Sequence, residues 1–127
     1  MTARDDKRPV FLDLTRIHLP VMAVLSLGHR VSGVLLVCAM PPLVWLFGRS
    51  LAGAEEYAAV RGLLASGPAR IALVLLAWAC AHHVLAGVRF LLLDLGVGVD
   101  ARSARAGAWA VLAGGLLVMC GTAFVLS

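Results

Sequence analysis

The chain has 127 residues, 61% of them hydrophobic and 14% charged, with a formal net charge of +4. A soluble domain averages about 45–50% apolar and about 25% charged residues, so this composition, with a mean hydropathy of +0.95, belongs to an integral membrane protein. In such a chain the basic residues orient the polypeptide in the bilayer and do not point to nucleic acid as a partner.

Residues 1–19 are polar and then amphipathic. Arg4, Lys7 and Arg8 stand beside Asp5 and Asp6, with no apolar core followed by a small-residue cleavage site, so this is not a secretory signal. The acids also argue against a mitochondrial transit peptide and favour a bacterial chain. Val31 to Gly48, Ile71 to Val88 and Ala106 to Ser127 lack Asp, Glu, Lys and Arg. Each approaches the roughly 20 residues of a spanning helix. The expected fold is an all-α membrane protein with transmembrane helices at about 20–48, 69–95 and 105–126, forming a single anchor domain.

Pro20 suits a first helical position, where its missing N–H has no partner anyway. Pro41-Pro42 interrupts the first helix near its far end, so a kink or break is expected there. Between the first two spans, residues 51–66 place Tyr57, Val60, Leu63 and Leu64 opposite Glu55, Glu56 and Arg61, which reads as a short amphipathic helix on the outer face. Gly67-Pro68 ends it. In the third span Ala106, Ala110 and Gly114 recur every four residues and predict a packing seam. Trp45 and Trp109 fall near span ends as interfacial anchors, and Cys38, Cys80 and Cys120 read as core fillers.

Arg4, Lys7, Arg8 and Arg16 precede the first span, and Arg89, Arg102 and Arg105 stand between the second and third. The first connection carries Arg49, Arg61 and Arg70. The positive-inside rule then places the N-terminus in the cytoplasm and the C-terminus outside.

Ionisable groups in hydrocarbon cost about 2.5–3.5 kcal/mol each on insertion scales, so they usually face a ligand, water or the protein interior. In the first span Ser26, His29, Arg30 and Gly33 share one helical face, offering a hydroxyl, an imidazole, a guanidinium and a gap. That face can bind a carboxylate or carbonyl oxygen, or the cationic groups can simply reach for the headgroups. In the second span His83 is flanked by Ala79, Cys80, Ala86 and Gly87, whereas His82 has Trp78 and Leu85 as neighbours. If either histidine holds haem iron, His83 has the room; otherwise it is a histidine hydrogen-bonded across a helix seam. No spacing suggests a zinc site, a nucleophile or a phosphate loop. Asp94 reads as a solvated acid at a helix exit, with a proton carrier as the other reading. Catalysis by this chain alone is not expected.

The segment Arg8-Pro9-Val10-Phe11-Leu12-Asp13-Leu14, the run Ser26-Leu27-Gly28-His29-Arg30-Val31-Ser32-Gly33 and the run His83-Val84-Leu85-Ala86-Gly87-Val88-Arg89 with Asp94 beyond it resemble three ordered motifs of the cytochrome b membrane-anchor subunits of succinate dehydrogenase, respiratory complex II. The resemblance implies a multi-pass protein of the bacterial inner membrane. It would pair with a second anchor subunit and dock an iron-sulfur subunit and a flavoprotein subunit, as a non-catalytic part of a complex that passes electrons from succinate to ubiquinone. It further implies that His83 is one axial ligand of a b-type haem shared with the second anchor subunit, that His29 and Arg30 meet the haem propionates, and that Ser26 and Arg30 border the quinone. Phe90 departs from several relatives, which carry a histidine there. His82, next to His83, is the alternative ligand. The other readings are a haem-free anchor, an anchor of a fumarate reductase working in reverse, and a small transport or scaffold protein whose polar pairs line a proton or ion path.

Overall fold

The computed structural model describes residues 19–127; the N-terminal motif at residues 8–14 lies outside them. The described residues form four helices: α1 (Val21–Ser50), α2 (Ala54–Leu64), α3 (Gly67–Asp94) and α4 (Ala101–Leu126). Helices α1, α3 and α4 are long and apolar enough to cross a membrane. At 1.5 Å per residue, the 30 residues of α1 reach about 45 Å. A helix of that length must tilt or protrude from a hydrocarbon layer of roughly 30 Å.

Local chemistry sets the helix boundaries. Pro20 takes extended backbone as the N-cap of α1, and Pro68 lies in the first turn of α3, where neither proline removes a ladder hydrogen bond. Gly96 and Gly98 adopt positive φ between α3 and α4, a conformation open to glycine at little cost. Asp100 then caps α4, accepting from the Arg102 and Ser103 amides at 3.1 and 3.0 Å. The first helix does not break at its prolines: α1 runs continuously through Pro41 and Pro42.

The central helix is α3, which packs along both α1 and α4, while α1 and α4 touch over a shorter length. Three stripes of buried residues meet in the seam: Leu25 and Ser32 on α1, Ala79, His82, Ala86 and Arg89 on α3, and Ala104, Ala108, Val111 and Gly115 on α4. The small-residue seam on α4 is therefore rotated from the expected face. Ala106 and Ala110 point outward, and Gly114 sits at the edge, where an added Cβ would stand 2.8 Å from Leu85 Cδ1. The three cysteines are also exposed on this chain rather than filling its core.

Arg89 lies inside the bundle rather than in the connection after α3. It is buried, donates from Nη2 to the Ala104 carbonyl at 2.7 Å and packs beside Gly107, fastening α3 to the first turns of α4. Helix α2 folds back against the end of α1, with Val60 buried. Glu56 pairs with Arg49, whose guanidinium also lies 5.2 Å from the Trp45 ring centroid.

Two outcomes test these contacts. Arg89→Ala removes a charge-assisted bond between helices and is expected to lower the resistance of the protein to unfolding in SDS by about 1–2 kcal/mol, with Arg89→Lys in between. At Asp100, hydrogen bonds from the Ser103 side chain and backbone hold the carboxyl below its ordinary value. The cap's contribution is thus present above about pH 4 and lost as the pH falls through the lowered value. Hydrogen-exchange protection factors at the Arg102 and Ser103 amides should fall over that range in the parent protein and stay flat in Asp100→Asn.

Candidate functional site

About midway along α3 the two adjacent histidines leave the helix in different directions. His82 enters the three-helix seam and is 1% exposed. His83 turns to α1 and borders a groove that is open along its side, lined by His29, Arg30, Gly33, Val34, Val37, Cys38 and His83, with a volume of ≈ 460 Å³. An α-helix turns about 100° per residue, so neighbours in sequence address different faces.

The His83 ring is held from two directions. It stacks on His29 with centroids 4.2 Å apart and planes 13° from parallel. Its Nδ1 lies 3.2 Å from the His29 backbone carbonyl and 3.3 Å from Ser32 Oγ. Ser32, fully buried, itself donates to the same carbonyl at 2.9 Å, the local back-bond open to a serine three residues along a helix. A backbone carbonyl can only accept, so the contact puts the proton on Nδ1 and leaves Nε2 as the lone-pair nitrogen. Gly33 makes room for this ring, since a Cβ there would stand 3.1 Å from His83 Cε1.

Arg30 is exposed and, like His83, lines the groove, so a cation borders the same space. Phe90 packs edge-on against His29 with centroids 5.2 Å apart and backs the His29 ring with an apolar edge. Gly87 lies on the other flank, 3.7 Å from His29 Nε2 by its would-be Cβ.

Of the residues singled out in the sequence, His29, Arg30, Gly33 and His83 come together. Ser26, one turn nearer the start of α1, is half-buried and does not line the groove. Ser32 and the His29 carbonyl were not identified as the groups that orient His83. The position of Ser32, three residues after His29, was the available signal, but a backbone acceptor leaves no mark in a sequence. Asp94 is exposed at the end of α3. Among the described residues no three His, Cys, Asp or Glu side chains converge; the groove offers the two stacked imidazoles of His29 and His83. One or two axial ligands suffice for an iron whose other four positions come from a porphyrin.

Residues 4–122 match the family model described as succinate dehydrogenase/fumarate reductase transmembrane subunit. Among curated proteins, the chain is 41% identical over 106 residues to the succinate dehydrogenase cytochrome b556 subunit of Coxiella burnetii, covering 83% of this chain and 85% of that one. The subunits of the same name from Paracoccus denitrificans and Rickettsia bellii are each 28% identical, over 111 residues (87% of this chain and 85% of the relative) and 121 residues (95% and 90%) respectively. The chain belongs to the family of succinate dehydrogenase and fumarate reductase transmembrane subunits, and within it to the cytochrome b membrane anchors.

Proposed function

We propose that this chain, an anchor subunit that is not catalytic on its own, holds one side of a b-type haem through His83 Nε2 and borders a quinone through Ser26 and Arg30. A second anchor subunit would supply the other haem ligand, and His29 and Arg30 would hold the haem propionates. The observation that supports this most directly is the orientation of His83: Nδ1 bonded inward to the His29 carbonyl and Ser32, Nε2 left free. A ligating histidine is regularly fixed this way, its second nitrogen donating to a carbonyl or hydroxyl.

The donor set fits such a group. A flat macrocycle needs an imidazole approached without bulky flanking side chains, and the groove beside His83 is bordered by Gly33 and small or slender apolar residues. A propionate in a low-dielectric setting needs a cation, which Arg30 provides. When bound, the haem would supply a one-electron redox centre. The residues of this chain would orient it, balance its carboxylates and, through Arg30, donate hydrogen bonds to a quinone carbonyl oxygen.

The positive-inside balance supports a cytoplasmic N-terminus and second connection, so that the iron-sulfur and flavoprotein subunits dock on that side of the bacterial inner membrane and electrons from succinate reach ubiquinone there. The transport or scaffold reading of the polar pairs gives way to the family match.

His83→Ala in the purified complex is expected to abolish the reduced b-type absorption bands, and unchanged bands would remove His83 from the ligand role. Arg30→Ala or Ser26→Ala is expected to depress quinone reduction by about ten- to a hundredfold, the value of one or two hydrogen bonds at a polar substrate, while succinate oxidation by an artificial dye persists. Equal loss of both activities would indicate defective assembly and count against a quinone role.

A further inference from the structure

His82 has no role in the site just described, yet with Ser32 it is one of the two most enclosed polar side chains among the described residues. It is 1% exposed, and neither ring nitrogen has a hydrogen-bond partner among those residues. An unpaired buried polar group costs about 1–3 kcal/mol, so an apolar residue would be the cheaper filler if volume alone mattered. The surroundings show what the ring supplies instead.

The ring is a flat plate in a narrow slot. On one side is Gly28 of α1, where an added Cβ would stand 2.7 Å from His82 Nε2; on the other is Gly115 of α4, where it would stand 3.5 Å from His82 Nδ1. Trp78, one turn back on α3, stacks on the ring with centroids 5.4 Å apart. Imidazole is the smallest aromatic ring among the side chains, and it reaches into the Gly28 gap where even a methyl group on the facing helix would collide.

This contact lies one residue from the site on both helices. Gly28 directly precedes His29 and Arg30, and His82 directly precedes His83. The pair Gly28–His82 meets inside the seam, and the pair His29–His83 meets beside the groove, so two neighbouring cross-helix contacts fix how α1 lies on α3. A slip by one residue would rotate His29 and Arg30 by about 100° away from the groove they line.

We propose that His82 is a positioning residue: its ring, seated in the hole left by Gly28 and Gly115, sets the register of α1 on α3 and thereby places His29 and Arg30 against haem and quinone. This rests on the reading of His83 and Arg30 given above. The action is steric and proceeds through α1, with no contact between His82 and either bound group.

The test uses the whole complex in native membranes with Gly28→Ala, the pair Gly28→Ala with His82→Ala, and Gly48→Ala as a control, since Gly48 has open space around it. Gly28→Ala is expected to lower quinone reduction by about ten- to a hundredfold, the effect of a displacement near 1 Å, and to shift the electron paramagnetic resonance of the oxidised haem, with dye-linked succinate oxidation retained. Trimming the ring with His82→Ala should return both quinone reduction and the haem signal toward the parent values. Gly48→Ala should change neither. If Gly28→Ala blocks assembly outright, recovery of assembly in the double variant carries the same meaning. A double variant no better than Gly28→Ala, or a Gly28→Ala complex equal to the parent, overturns the proposal. Failure of the underlying haem assignment shows separately, as b-type bands that survive His83→Ala.

Discussion

One hydrogen bond organises the site: the contact of His83 Nδ1 with the His29 backbone carbonyl, shared with Ser32. Outside a membrane a histidine can trade such a partner for water. Within hydrocarbon it cannot, and the ring stays where a protein acceptor holds it. The acceptor is a main-chain atom of a different helix, so the tautomer of His83 depends on how α1 packs against α3. The stacked His29 ring makes that dependence mutual, because the residue that supplies the carbonyl also supplies the plane on which His83 lies.

The rest of the bundle keeps those two helices in place. Two small-residue seams meet on α3, and the arginine at its end donates into the backbone of α4. Close approach at Gly28, Gly33, Gly107 and Gly115 lets long polar side chains enter between helices that would otherwise be held apart by their own Cβ atoms. Large apolar side chains such as Val37, Leu117 and Phe124 remain on the outside, as expected where lipid and neighbouring subunits take the place of water.

Much of this was legible in the sequence. Charge-free runs marked the three spans, and helical spacing put Ser26, His29, Arg30 and Gly33 on one face. The small neighbours of His83 set it apart from His82. What escaped depended on features that periodicity does not carry. The rotation of the α4 seam from Ala106 and Ala110 to Ala104, Ala108 and Gly115 is invisible when small residues occupy both faces. Arg89 counted as a topology-setting charge although its side chain is spent on a carbonyl of the next helix. Ser32 stood in the motif without a role, since its partners are a main-chain oxygen and a ring 51 positions away. The cysteines looked like core fillers because composition cannot tell an interior from a lipid-facing surface.

The uninterrupted course of α1 through Pro41 and Pro42 carries a consequence for the end of the groove nearest those prolines. Neither proline has an N–H to give, so the main-chain oxygens of Val37 and Cys38, one turn earlier, lose their usual ladder donors. Both residues line the groove. Two main-chain oxygens at this level of α1 are thus left without their intrahelical donors, and in hydrocarbon such groups are satisfied by a neighbouring polar side chain and not by an acyl chain.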